Sequence, residues 1–83
     1  MKLYCIYDKL AEESASPTMV KTDAVAVRMF YQALRDVYNV SDYELYCIAD
    51  YDPTSMQLTP YVRPVSVDIS VDRTADIIEE AKL

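Results

Sequence analysis

Eighty-three residues of 9.5 kDa, 52% hydrophobic and 27% charged, suffice for one small core, so residues 1–83 are read as a single domain. Glycine, histidine and tryptophan are absent; without Gly there is no dinucleotide fingerprint or P-loop, and without His no usual hydrolase triad or HExxH zinc site. Eight Lys or Arg against fourteen Asp or Glu leave a net charge of −6, the wrong sign for coating nucleic acid by counterion release. Binding or scaffolding is therefore expected rather than catalysis, with no cofactor.

Leu3 to Tyr7 form an aromatic and β-branched run ending at Asp8, which predicts a first strand. From Lys9 to Lys21 the chain turns polar, with Glu12, Glu13, Ser14, Ser16 and Pro17, and reads as a connecting loop. Thr22 and Asp23 supply a helix N-cap, and Ala26, Phe30, Ala33, Leu34 and Val37 recur at helical spacing between Ala24 and Tyr38. Asn39 follows as the residue suited to a left-handed C-terminal position.

Tyr43 to Tyr51 predict a second strand, with Leu45, Cys47 and Ala49 on one side of the pleat. The quartet Leu-Tyr-Cys-Ile stands at residues 3–6 and again at 45–48, so Cys5 and Cys47 are expected on one face of a parallel βαβ pair, and Tyr4 and Tyr46 on the other. Met56 to Thr59 predict a short third strand ended by Pro60. Val65, Val67, Ile69 and Val71 alternate with polar residues as a fourth. Ser70 or Asp72 can cap a last helix with Ala75, Ile78 and Leu83 inward and Asp76, Glu79 and Glu80 outward. The order β-α-β-β-β-α, or β-α-β-β-α if residues 56–71 are partly irregular, predicts an α+β fold: a ferredoxin-like plait variant with one three- to four-stranded mixed sheet and helices on one face.

Three constellations can carry chemistry. Asp8, Asp50 and Asp52 would gather at the C-terminal ends of two parallel strands and could hold Mg²⁺; the alternative, preferred here, is turn chemistry, so no metal is expected. Arg28, Tyr31, Arg35 and Tyr38, with Gln32 beside them, form a helix stripe of guanidinium and aromatic groups suited to single-stranded nucleic acid, or else an ordinary margin of packed rings and ion pairs. Tyr4, Tyr46, Ile6 and Ile48 are the candidate dimer or partner face, since an uncovered aromatic sheet face invites a second copy or a base-stacking role; a homodimer is the expected use, because Glu44 and Asp50 alongside are acidic and would repel phosphates. Cys5 and Cys47 lack CxxC spacing and are expected as reduced thiols. No secretory signal or long apolar run is read, which predicts a cytoplasmic protein without membrane contact.

The segments Met-Lys-Leu-Tyr-Cys-Ile-Tyr-Asp at residues 1–8 and Ser-Asp-Tyr-Glu-Leu-Tyr-Cys-Ile-Ala-Asp-Tyr-Asp at 41–52, with Ala24, Arg28, Phe30 and Ala33 between them, resemble the small nonstructural protein of gokushovirus-type microviruses, single-stranded DNA phages. The likeness covers roughly residues 1–60; that family commonly has Gly where this chain has Ala49. The resemblance implies a nonstructural phage protein that assists single-stranded DNA synthesis or genome packaging in the host cytoplasm, with DNA or a phage or host replication or packaging protein as partner. It carries over no active site. The alternative is a protein-interaction module that never touches nucleic acid. The charge of −6 predicts that any DNA binding is weak and strongly salt-dependent.

Overall fold

The computed structural model describes residues 1–70. β1 (Lys2–Asp8) leads into a tight turn in which Asp8 Oδ1 accepts from the amides of Leu10 and Ala11, at 3.0 and 3.1 Å. Glu12 takes φ 58°, the left-handed backbone that a chain without Gly must force on another residue. The chain returns as β2 (Glu13–Ser14) and β3 (Thr18–Val20), both antiparallel to β1, with Tyr7 opposite Ser14 and Lys2 opposite Val20. The polar segment Lys9–Lys21 is thus a hairpin arm rather than a plain loop. An edge strand needs no apolar alternation on both faces, and Pro17 falls in the break between the two pairings.

α1 (Asp23–Ala33) is capped by Thr22, whose side chain accepts from the Val25 amide at 3.3 Å. It buries Ala26, Val27 and Phe30. The helix stops at Leu34, short of the predicted Tyr38, and the Val37 amide donates back to the Leu34 carbonyl at 3.1 Å. Asn39 is extended (φ −134°), not left-handed; its Oδ1 accepts from Ser41 to cap a single 3-10 turn, Val40–Asp42. β4 (Tyr43–Asp52) and β5 (Gln57–Ser66) complete the sheet as an antiparallel hairpin, with Met56 at φ 63° in the connecting turn.

β4 runs antiparallel to β1, with Asp8 opposite Tyr43 and Lys2 opposite Asp50. This overturns the expected parallel βαβ pair, and the cause is the return arm. β1 runs one way, β3 brings the chain back to the Lys2 end, and α1, about 16 Å long, carries it forward again beside β1. β4 therefore starts at the Asp8 end and must run back. One unrecognised reversal inverts the direction of everything after it.

Among the described residues the sheet order is β2-β1-β4-β5, with β3 also on β1, and the five antiparallel strands curl into a half-barrel covered by α1. The ferredoxin-like plait with a mixed sheet and helices on one face is therefore incorrect. The two short strands predicted around Pro60 are one strand, β5, which tolerates Pro60 and Pro64 because it lies at the sheet edge. Val67 and Ile69 leave the strand and pack against the core, with the Val67 amide donating to the Leu45 carbonyl at 3.0 Å. The predicted last helix, with Ala75 to Leu83, and Val71 lie outside the described residues.

The core lies between α1 and one face of the sheet: Tyr4, Leu45 and Cys47 from β1 and β4, Val20 from β3, and Ala26, Val27, Phe30 and Leu34 from the helix and its end. Burying side chains such as Phe30 and Leu45 contributes roughly 1.5–3 kcal/mol each. Among the described residues no buried polar side-chain atom lacks a hydrogen bond.

Candidate functional site

The register decides which face each member of the repeated quartet joins. Tyr4 pairs with Cys47 and Cys5 with Tyr46, an offset of one residue from the like-with-like alignment. Side chains alternate, so that offset sends the two copies to opposite faces. Tyr4, Ile6, Leu45 and Cys47 face the helix, whereas Cys5, Tyr7, Tyr46 and Ile48 face away from it. The candidate partner face is thereby split: Tyr4 is fully buried and Ile6 packs on the core, while Tyr46 and Ile48 stand on the open side. The two free thiols are buried on opposite faces as well.

Tyr4 donates its hydroxyl to Asp23 Oδ1, tying β1 to the first turn of α1. Burial first and this bond second push the phenol well above its ordinary pKa. Near the other end of the core, Cys47 Sγ donates to Tyr61 Oη at 3.7 Å and Tyr61 donates to Asp50 Oδ1 at 2.5 Å. The Asp50 bond is the main reason the Tyr61 phenol is raised.

The aspartates do not gather. Asp8 lies opposite Tyr43 at one end of β1, while Asp50 and Asp52 lie at the far end, about 20 Å away along the strands. Asp8 and Asp52 each close a local turn, Asp52 Oδ1 accepting from the Thr54 amide at 2.9 Å, which holds its carboxyl below the usual range. Among the described residues no group of three metal-ligating side chains forms.

The helix stripe is divided by the early end of α1. Arg28, Tyr31 and Gln32 stand on the helix; Arg35 and Tyr38 lie beyond it. Arg28 and Gln32 are exposed, Tyr31 sits edge-on against Phe30 at 5.2 Å, and Arg35 is 3.8 Å from Asp36. Tyr38 is fully exposed.

The open face carries a groove of about 540 Å³ lined by Cys5, Tyr7, Tyr46 and Ile48 from the central strands, Ser14 from β2, and Arg63 and Pro64 from β5. Its shape follows from a bulge. Between Cys47 and Ala49 the β4 ladder skips Ile48, and β5 spends Tyr61 to Pro64 across that gap, since Cys47 pairs with Val65 and Ala49 with Pro60. β1 shifts register at the same place, between Leu3 and Tyr4. Ala49, where the resembled family has Gly, borders this bulge.

The rings of Tyr7 and Tyr46 meet edge to face, 6.2 Å between centroids and 82° between planes. Tyr46 donates to Glu44 Oε2 at 3.1 Å, which raises its pKa chiefly through that bond. Arg63 has no carboxylate within ion-pair distance among the described residues, so the only formal charge in the lining is positive. Arg63 is the residue that sequence patterning missed: it lies between Val62 and Pro64, outside both predicted strands, and the bulge leaves it in the β5 segment across from the skipped Ile48.

Among the described residues, fold and groove define a small β-sheet domain with α1 on one face and an open, aromatic surface on the other. The chain belongs to the family described as Phage ORF5 protein, which matches residues 1–73, and it is therefore a phage protein. No curated protein and no solved structure compared with it matches the chain. No helix among the described residues is long and apolar enough to cross a membrane.

Proposed function

We propose that this phage protein works by binding rather than catalysis, contacting single-stranded DNA during genome replication or packaging in the host cytoplasm. The supporting observation is the open groove, where two tyrosine rings and a guanidinium with no carboxylate partner among the described residues share one surface of a chain of net charge −6. Bases stack on aromatic side chains of exposed sheets, and arginine meets phosphate. The likeness to the microvirus nonstructural protein supports the same reading. Arg28 and Gln32 on α1 are exposed and add a second, weaker contact; Arg35 is less suited, being already engaged with Asp36.

Fluorescence anisotropy of a labelled single-stranded oligonucleotide, at low and moderate salt, tests this. The parent chain binds at low salt, Arg63→Glu abolishes binding, and Arg28→Glu combined with Arg35→Glu weakens it less. Failure of the parent to bind at low salt overturns the proposal.

One observation favours a second reading, a protein-interaction module. β5 exposes the apolar side chains of Leu58, Val62 and Val65, which suit contact with a phage or host protein or with a second copy forming a homodimer. Sedimentation at several concentrations tests the homodimer, which a monomer throughout would exclude.

A further inference from the structure

We infer that the open groove holds a single nucleotide, one base with one phosphate, rather than a stretch of strand; this rests on the reading of the groove as the DNA contact. Three features of the site set that limit. The Tyr7 and Tyr46 rings stand 82° apart, so they offer neither two parallel platforms for successive bases nor a slot between them. One base can lie on the pair. Among the described residues the lining holds one cation, Arg63, and hence one phosphate contact. The groove, at about 540 Å³, is also the size of a small-molecule site rather than a channel.

The same geometry orients the ligand. Along the open side of β4 the order is Glu44, Tyr46, Ile48, and Arg63 lines the same groove from the β5 segment that spans the gap at Ile48. Tyr46 and Ile48 are two residues apart, about 7 Å along the strand, the scale of the separation between a base and its phosphate. A phosphate near Tyr46 would meet the Glu44 carboxylate, whereas at the Arg63 end it meets a guanidinium. The base therefore stacks at the tyrosines, the sugar crosses Ile48 and Pro64, and the phosphate sits on Arg63. A free nucleotide and a nucleotide at the end or turned-out point of a strand present the same chemistry.

Backbone amide spectra titrated with thymidine 5′-monophosphate, thymidine and inorganic phosphate separate these contributions, and an oligothymidylate titration identifies the source. The monophosphate is expected to shift the amides of Tyr7, Tyr46, Ile48 and Arg63, with thymidine binding about tenfold more weakly and phosphate alone shifting nothing in the groove. Arg63→Ala, an exposed site whose change leaves the core intact, should bring the monophosphate down to the affinity of thymidine. Tyr46→Ala should lose both ligands, while Tyr46→Phe keeps them. The one phosphate neutralised in the groove should contribute about −0.7 to the slope of log oligonucleotide affinity against log salt, so that Arg63→Ala makes the slope shallower by about that amount.

A steep slope with no competition from the monophosphate overturns the single-nucleotide site and leaves the DNA reading standing. Binding of the monophosphate without any binding of the oligonucleotide supports the site and overturns the DNA reading. If neither ligand binds, both fall.

Discussion

Tyr4 meets two demands at once, since its ring fills the centre of the core and its hydroxyl needs a partner there, which Asp23 provides. The sign of the resulting pH dependence is fixed. In the unfolded chain the phenol titrates near its ordinary value of 10.0, whereas in the fold it stays protonated well above that. Its stabilising contribution is complete below pH 10 and is lost as pH rises, because the unfolded chain then releases a proton that the folded one keeps, at up to about 1.4 kcal/mol per pH unit. Tyr4→Phe should cost about 1 kcal/mol at neutral pH through the lost hydrogen bond, and should flatten the decline above pH 10. Urea denaturation of both chains at neutral and alkaline pH measures this; an unchanged alkaline decline would show that Tyr4 is not its source. The residue scale is also where the sequence was most legible. Turn use by Asp8 and Asp52, the Thr22 cap, and the inward Ala26 and Phe30 all depend on neighbours within four positions. What stayed hidden were Glu12 and Met56, whose left-handed backbone no local pattern announces.

Elements were legible singly and misread in combination. β1 and β4 exist where the sequence places them and α1 starts where it is predicted but ends early, yet the sheet is antiparallel because the polar arm Glu13–Val20 pairs with β1. Polar composition signals exposure, and an exposed edge strand looks the same as a loop. The identical quartets misled for a related reason: sequence likeness says nothing of register, and a one-residue offset separates Tyr4 from Tyr46 by the full thickness of the sheet. The groove was unreadable because it depends on the bulge at Ile48, a tertiary adjustment between β4 and β5. Element-level reasoning does give Pro60 and Pro64 a role. β5 is a ten-residue edge strand exposed along nearly its whole length, and such edges invite pairing with another chain. Each proline removes a donor from that edge. Pro60→Thr combined with Pro64→Thr should keep the monomer fold while promoting self-association, visible as concentration-dependent sedimentation; a variant no more associated than the parent would deny the prolines that part.

At the scale of the whole molecule the charge of −6 and the Arg63 cation in the groove pull in opposite directions, and salt separates them. Excess like charge strains the compact state by self-repulsion, which ions screen over a Debye length of about 10 Å at 0.1 M. Stability should therefore rise from low to moderate salt, with Tm moving up by several degrees, since about 1 kcal/mol shifts Tm by roughly 4–8 °C in a domain this small. A phosphate on Arg63 behaves inversely, because neutralising it releases counterions and added salt favours the free state. The strong salt dependence that composition suggests thus becomes a shallow one when a single guanidinium is the contact. Raising salt should firm the fold and loosen the ligand together, so any loss of oligonucleotide binding at moderate salt cannot stem from unfolding. Thermal melts and anisotropy on the same samples check this directly: Tm and affinity should move in opposite directions in the parent. In Arg63→Glu, which takes the net charge from −6 to −8 by replacing +1 with −1, the rise of Tm with salt should steepen while binding stays absent. If Tm and affinity fall together with added salt, the acidic surface is not self-repelling in the fold, and the opposition between global charge and local site is refuted.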